Sequence, residues 1–156
     1  MDAMKIGELA AATDTPVETI RYYEKQGLLA EPARSEGNYR VYGSAQVERL
    51  RFIRHCRSLD MSLDEVRLLL RYKDSPGRDC GDVNALLDEH IGHVSQRIRE
   101  LKRLEKQLRE LRAQCASRSD TAHCGILGEI TQASRARRKA APAQPARHLG
   151  PVHGPR

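Results

Sequence analysis

Hydrophobic residues recur at helical spacing over most of the chain. A first short helix carries Ile6 and Leu9 on one face. A second is predicted to start with Thr15 as its N-cap and Pro16 as its first helical residue, and to end at Gly27. Two short helices joined by a tight turn are typical of a helix-turn-helix.

The next segments predict a hairpin, two more helices and a break. Residues 34–42 alternate in β-type side chains around a Gly-Asn turn, which favours a β-hairpin, or wing. Ser44 is predicted to open the third helix, and Ser62 forms a capping box with Glu65 at the start of the fourth. Residues 73–81 are polar and contain Pro and Gly, so we predict a hinge there.

Residues 82–113 predict one long amphipathic helix. Its apolar residues follow the spacing of a coiled-coil seam: Leu87, Ile91, Val94, Ile98, Leu101, Leu104, Leu108 and Leu111. A helix this long needs a partner to bury such a stripe, and the sequence offers no comparable second helix. We therefore predict a homodimer; a monomer that folds the stripe back onto the rest of the chain is the alternative.

These elements predict a mainly α fold with a winged helix-turn-helix domain over residues 4–72. Residues 114–131 are predicted to form a loop with a short C-terminal helix, and residues 132–156 a disordered, basic tail. The low aromatic content agrees with a helical protein. The chain has no apolar run of about 18 residues and no secretory leader, so we predict no membrane partner and a cytoplasmic location.

The positive charge is distributed unevenly. The chain has 27 Lys and Arg against 21 Asp and Glu, and residues 134–156 hold six of the basic residues and none of the acidic ones. The rest of the chain is therefore balanced at 21 against 21. Within residues 21–57, however, eight basic residues face four acidic ones. That local excess fits either a phosphate-facing surface or a mixed, solvated one.

The chain contains four cysteines, Cys56, Cys80, Cys115 and Cys124. In a cytosolic protein they indicate metal binding or thiol chemistry rather than a disulfide framework. Cys56 has core spacing on its helix and is predicted to be a packed, inert thiol. No CxxC, HExxH or Gly-rich phosphate loop occurs, so we predict that the protein is not an enzyme. A regulator that senses redox state through its thiols is a rival interpretation.

Three stretches, KIGELAAATDTPVETIRYYEKQGLL, RSEGNYRVY and HCRSLDMSLDEVRLLL, resemble the MerR family of transcription activators. The resemblance covers about residues 4–131, and DCGDVNALLDEH with the cysteines is most similar to the cadmium/lead-responsive branch. It suggests Met4, rather than Met1, as the native start. It also implies a homodimer on a palindromic promoter, which distorts the DNA for RNA polymerase when cadmium(II) or lead(II) binds.

The resemblance also implies a set of DNA contacts. They lie on the second helix, on the wing and on the third helix: Thr19, Arg21 and Tyr22; Arg34, Tyr39, Arg40 and Tyr42; and Arg54. Arginine suits this role because its fork binds guanine edges or phosphate. A surface ion pair is the alternative for each arginine; for Arg54 it is a pair with a neighbouring acid. Tyr23 is interpreted as a core residue.

Cys80 and Cys115 lie at opposite ends of the long helix, roughly 50 Å apart at about 1.5 Å per residue. One chain therefore cannot bring both to one ion. In an antiparallel helix pair, Cys80 of one protomer meets Cys115 and Cys124 of the other. Cys80 also lies near a helix N-terminus, which favours its thiolate form.

Three thiolates favour a soft ion. By the resemblance, a cysteine at position 80 favours a divalent ion and Ala116 weakens a zinc site, so we predict cadmium(II) or lead(II); a mercury(II)- or zinc(II)-responsive regulator is the alternative. His123 is a candidate fourth ligand, or an exposed loop histidine. An accessory site resembling that of some cadmium-branch members, or merely solvated side chains, comprises Glu65, His90, His93, His148 and His153.

Overall fold

A computed structural model of the chain describes residues 3–115, 118 and 120–137. Its elements are α1 (Ile6–Thr13), α2 (Val17–Lys25), β1 (Ala33–Arg34), β2 (Arg40–Val41), α3 (Ser44–Ser58), α4 (Leu63–Lys73), α5 (Gly81–Ala113), a 3₁₀ turn (Thr121–His123) and α6 (Gly125–Arg137). The predicted mainly α fold, with a helix-turn-helix, a wing and one long helix, is confirmed. The described residues divide into two compact units, a first unit up to Val94 and a second unit from Ser95 onward.

The first unit has a small, fully buried apolar core. Each of its first four helices contributes at least one side chain with no exposed surface: Leu9, Ile20, Leu50, Ile53 and Val66. Tyr23 and Cys56 pack into the same cluster, as predicted. Burial raises the pKa of the Cys56 thiol, which keeps it protonated and unreactive.

The helix starts agree with the sequence at α4 but not at α2. The Glu65 backbone N–H donates to Ser62 Oγ at 3.2 Å, and the Ser62 N–H donates to Glu65 Oε2 at 2.7 Å, so the capping box is confirmed. At α2 the N-cap is Pro16, in an extended conformation, and the prediction of Thr15 is wrong. The buried Thr15 hydroxyl donates instead to the Thr13 carbonyl at 3.0 Å, because its side chain faces the interior of the turn.

The predicted wing is present as an antiparallel pair. Ala33 lies opposite Val41, and Arg34 opposite Arg40. The connecting turn passes through Asn38 in the left-handed region, at φ 62°, a conformation that asparagine tolerates well. Just beyond β2, Tyr42 and Met4 exchange two backbone hydrogen bonds of 2.9 Å, which fasten the wing to the start of α1.

The second unit differs from the prediction at its C-terminal end. Helix α6 reaches Arg137 and does not end at residue 131, so disorder from residue 132 is wrong for the residues up to 137. Residues 131–137 contain Gln, Ala and Arg but no Gly or Pro, so nothing stops the helix there. The rest of the predicted disordered tail lies outside the described residues. In the part of the chain that the structure describes, no helix combines the length and the apolar character that crossing a bilayer requires.

Candidate functional site

A groove of about 540 Å³ lies between α2 and the wing. Its walls carry four basic and three acidic side chains and two uncharged residues: Arg21, Lys25, Arg34 and Arg40; Glu18, Glu24 and Glu31; and Tyr22 and Pro32. The groove is therefore basic on balance, although the whole first 133 residues are neutral. A concave basic surface beside an exposed helix suits a phosphate backbone.

The structure brings four of the eight predicted DNA contacts to this groove, namely Arg21, Tyr22, Arg34 and Arg40. Arg21 and Tyr22 project from α2 into solvent, and Thr19 is half-buried on the same helix. On the wing, Arg34 Nη1 donates to the Asn38 carbonyl at 3.1 Å. This bond holds the Arg34 side chain against the wing turn.

Tyr39, at the wing, is another predicted contact, and its ring is 66% exposed. The Lys5 ammonium lies over this ring, 5.7 Å from the centroid. At an exposed site such a cation–π contact is worth about 0.5–1 kcal/mol. Tyr39 and Lys5 thus form a second exposed basic feature beside the wing turn.

The prediction that Tyr42 contacts DNA is wrong. Its side chain is only 1% exposed, and its hydroxyl donates a short hydrogen bond to Glu24 on α2. Burial, together with the Glu24 carboxylate, raises the pKa of Tyr42 far above its usual value. Arg40, two residues earlier in the chain, keeps a side chain that is 42% exposed, whereas Tyr42 is part of the core.

Arg54 adopts the ion-paired alternative. Its guanidinium donates to the Thr13 carbonyl and lies 3.5 Å from the Asp14 carboxylate. Arg51 donates to the Ala12 carbonyl at 3.3 Å, so two arginines of α3 satisfy the C-terminal carbonyls of α1. These bonds give Arg54 a structural role, and a DNA contact by it stays a prediction.

The second unit brings the segments of two cysteines together. Gly125, the first residue of α6, approaches the end of α5 so closely that a Cβ there would lie 2.7 Å from the Gln114 carbonyl oxygen. Cys115 follows Gln114 and Cys124 precedes Gly125, so the two cysteines stand at one junction. Both thiols are half-buried.

Cys80 belongs to the first unit and is exposed at the start of α5. Its carbonyl accepts from the Asn84 N–H at 2.9 Å, which makes Cys80 the cap of the long helix. All three candidate thiols are therefore reachable by an ion. The thiol of Cys56, in contrast, is buried.

The neighbour of Cys124 is held by a carboxylate that the sequence analysis missed. Asp120 Oδ1 accepts from the His123 backbone N–H at 3.0 Å and lies 2.7 Å from His123 Nδ1. An aspartate that holds one ring nitrogen leaves Nε2 as the nitrogen available to a metal. The signal in the sequence was an aspartate three positions before His123, a spacing that is typical of a cap residue at the start of a helical turn.

Three residues of the predicted accessory site lie together. Ligand atoms of Glu65, His90 and His93 all lie within 4.8 Å of one another. His90 Nδ1 lies 3.1 Å from Glu65 Oε1 and His93 Nδ1 lies 3.7 Å from it. His148 and His153, the other two members, lie outside the described residues.

The polar surroundings of this cluster shift the pKa values of two of its members, Glu65 and His90. Burial acts to raise the pKa of Glu65, but hydrogen bonds from Ser62 and interactions with His90 outweigh it, and the net pKa is lowered. The Leu59 carbonyl, 2.9 Å from His90 Nε2, and the Glu65 carboxylate raise the pKa of His90 against the opposing effect of burial. An anionic oxygen and two imidazole nitrogens are a donor set that suits a borderline divalent ion such as zinc(II).

Family models match most of the chain. Residues 4–73 match a model described as MerR HTH family regulatory protein, and residues 47–111 match one described as MerR, DNA binding. The HTH-type transcriptional regulator ZntR homolog of Haemophilus influenzae is 45% identical over 117 residues, which are 75% of this chain and 87% of the relative.

Two similar solved structures contain a metal ion. The transcription regulator PbrR691 from Ralstonia metallidurans CH34, in complex with lead(II), has a TM-score of 0.72 and 50% identity and covers 81% of this chain and 98% of its own. The transcriptional regulator MerR of Bacillus megaterium MB1, in complex with mercury(II), has a TM-score of 0.63 and 31% identity and covers 82% of this chain and 99% of its own. All three relatives are described as transcription regulators.

Proposed function

Because the chain belongs to the MerR family of transcriptional regulators, we propose that it binds a palindromic promoter as a homodimer and activates transcription when a soft metal ion occupies its cysteines. It is a regulator and not an enzyme. The observation that carries the proposal is the pairing of two features: a basic groove beside an exposed helix, and reachable thiols at both ends of α5.

The proposed DNA interface consists of α2 and the wing. Arg21 and Tyr22 on α2 read the major groove, with Thr19 beside them. Arg34, Arg40 and Tyr39 on the wing contact the backbone, where arginine forks match phosphate oxygens. This division assigns sequence reading to the helix and affinity to the wing.

The proposed dimer interface is the seam of α5. Seven large apolar side chains along this helix are 38–60% exposed in the single chain: Leu87, Ile91, Val94, Ile98, Leu101, Leu104 and Leu108. An exposed stripe of this length is covered most economically by the same stripe of a second copy, in a coiled coil. An antiparallel arrangement joins Cys80 of one protomer to the Cys115 and Cys124 junction of the other.

The proposed inducer is cadmium(II) or lead(II). Three thiolates favour a soft ion, and a relative with 50% identity is described in complex with lead(II). His123, aligned by Asp120, supplies a fourth ligand for an ion that prefers four, such as cadmium(II). Mercury(II) and zinc(II) are the competing inducers: a relative described in complex with mercury(II) is 31% identical, and thiolates and imidazoles are also the ligands that zinc(II) takes.

A weaker accessory site is proposed at Glu65, His90 and His93, with His148 and His153 of the tail as further ligands. Its first three members already converge, and its oxygen and nitrogen donors differ from the three thiolates of the inducer site. Since its donors are harder, it prefers zinc(II) or cadmium(II) to lead(II). Binding there would fasten α5 to α4 within the first unit.

Activation is proposed to act through DNA shape. Metal joins the start of one α5 to the end of the other, which changes the angle between the two DNA-binding heads. The dimer then twists or bends the promoter so that RNA polymerase engages both promoter elements. In this proposal the chain supplies both the metal ligands and the long helix α5 that transmits the change to the DNA-binding domain.

The test is transcription in vitro from the operator-bearing promoter across cadmium(II), lead(II), zinc(II) and mercury(II). Cys80→Ser, Cys115→Ser and Cys124→Ser should each abolish induction while DNA binding persists, and Cys56→Ala is the matched control that should keep induction. Induction retained by a serine variant would remove that residue from the site. Zinc activating at far lower free concentration than cadmium or lead would overturn the metal assignment.

A further inference from the structure

Glu24 is an acidic residue in an unfavourable place. It lies in the last turn of α2, where the helix dipole disfavours a negative charge, and its side chain is only 10% exposed. It also lines the groove proposed to receive a polyanion. Its charge therefore destabilises the helix and repels a bound phosphate. Any favourable effect of Glu24 must come from its contacts with other side chains.

Those contacts join α2 to the wing. One carboxylate oxygen, Oε1, accepts from the buried Tyr42 hydroxyl, and the other, Oε2, lies 3.8 Å from Arg40 Nε. Because Tyr42 is also fastened to Met4 through the backbone, the Glu24 end of this network is anchored in the core. Arg40, in contrast, has a side chain that is 42% exposed.

The geometry gives the Arg40 guanidinium two distinct edges. The Nε side faces Glu24, so the carboxylate restricts the rotation of the long side chain. Within the described part of the chain the two terminal nitrogens, Nη1 and Nη2, make no hydrogen bond, and Arg40 lines the groove, so both are available to a phosphate. Holding a flexible side chain before binding lowers the entropy that is lost when the complex forms.

The other two acids of the groove lack this arrangement. Glu18 and Glu31 line the same surface, and within the described part of the chain neither makes a side-chain hydrogen bond or an ion pair. Each contributes only repulsion toward a bound phosphate. They are therefore matched controls for the charge of Glu24 without its contacts.

We propose that Glu24 is a positioning residue of the DNA interface, which holds Arg40 in the orientation that contacts a backbone phosphate. The inference rests on the proposed function, since it needs DNA in the groove. Electrostatics alone predicts the opposite sign: removing a negative charge from a phosphate-binding groove should strengthen binding. The sign of the effect therefore separates the two explanations.

The test measures the affinity of the full chain for a duplex that the wild-type protein selects from a random-sequence library, over a range of salt concentrations. Glu24→Gln keeps an acceptor for Tyr42 but loses the charge that faces Arg40. We expect it to weaken binding by roughly fivefold, and to lower the salt dependence by about one phosphate contact, as Arg40→Ala does. Glu31→Gln should strengthen binding.

A double-mutant cycle gives the decisive comparison. If Glu24 acts through Arg40, Glu24→Gln should add little to the loss already caused by Arg40→Ala. Binding by Glu24→Gln that equals or exceeds that of the wild type, as expected for Glu31→Gln, would overturn the positioning role. So would two fully additive losses.

Two controls keep the outcomes separate. Circular dichroism checks that Glu24→Gln is folded; if it is not, Glu24→Asp, which keeps the charge but withdraws the carboxylate from Arg40, is measured instead, and binding equal to that of the wild type overturns the proposal. The second control compares the wild-type chain with the Arg21→Ala variant. If the wild type shows no salt-dependent binding, or Arg21→Ala binds like it, the proposed function itself has failed.

Discussion

His90 Nδ1 on α5 lies 3.1 Å from Glu65 Oε1 at the start of α4, although 25 residues separate them in the chain. The opposite ring nitrogen of His90 lies 2.9 Å from the carbonyl of Leu59, the C-cap residue that follows α3. One buried imidazole therefore ties the first turns of the long helix to two helices of the core. If α5 moves relative to the winged helix-turn-helix domain, these hydrogen bonds must either break or be kept by a joint movement of both parts.

This pair predicts a pH dependence of stability in metal-free protein. The raised pKa of His90 means that its contribution is full below the ordinary value of 6.5 and is lost as pH rises through the folded value. The lowered pKa of Glu65 means that its contribution is full above 4.5 and is lost as pH falls. The pair therefore stabilises the fold most between these two values.

The measurement is urea unfolding at pH 5.5 and pH 8.5 at fixed protein concentration with a chelator. Glu65→Gln should cost about 1–2 kcal/mol at the lower pH, as expected for a charged hydrogen bond, and less at the higher. Asp88→Asn, at an exposed site on α5, is the control and should cost the same at both. A loss from Glu65→Gln that does not change with pH would contradict the prediction.

If the apolar seam of α5 is the dimer interface, a charged substitution at its centre should convert the dimer to a monomer. Ile98 is 48% exposed in the single chain and lies near the middle of the apolar stripe. Ile98→Glu would place a carboxylate in a desolvated interface, so the dimer dissociation constant should rise by at least about a hundredfold. Analytical ultracentrifugation over a concentration series measures it. Arg99→Glu changes the adjacent exposed residue and should leave the dimer intact; equal effects would contradict the seam.

Local rules accounted for most of the fold. The capping box at Ser62, the turn at Asn38 and the spacing of the α5 seam depend on residues within a few positions of one another, so the sequence contains the whole signal. The end of α6 was misplaced because composition suggested a tail, whereas the helix continues wherever no breaking residue intervenes. The core position of Cys56 followed from its spacing on α3.

The candidate sites were less visible from sequence, because they depend on tertiary contacts. Tyr42 matched an exposed wing position by its place after the hairpin, but its ring fills the core beneath Arg40. Similarly, buried His90 contacts the Leu59 carbonyl just after α3, a residue that is distant from it in the sequence. Pattern and resemblance identified which residues matter, and only the fold separates those that face solvent from those that support them.

Substitutions of two arginines should affect different properties, DNA affinity for one and stability for the other. Arg21 lines the groove, whereas Arg54 satisfies the α1 carbonyl of Thr13. Arg21→Ala should weaken operator binding about tenfold with unchanged stability. Arg54→Ala should lower the free energy of unfolding by about 1 kcal/mol. Filter binding and urea unfolding measure the two quantities for both variants; operator affinity that Arg21→Ala leaves unchanged would refute its DNA contact.

A mixed-protomer experiment tests the shared metal site. Cys80→Ser and Cys115→Ser homodimers should each fail to respond to cadmium(II), because every site lacks one thiolate. In a heterodimer of the two variants, one site combines the intact Cys80 of one chain with the intact Cys115 and Cys124 of the other, and the second site lacks both Cys80 and Cys115. Once separated from the two homodimers, the heterodimer should therefore hold one cadmium-thiolate site, seen as half the wild-type ultraviolet charge-transfer absorbance per dimer. Cys80→Ser mixed with a Cys80→Ser, Cys115→Ser double variant supplies no intact Cys80 and should stay silent. If ligands came from one chain only, the first mixture would stay silent as well.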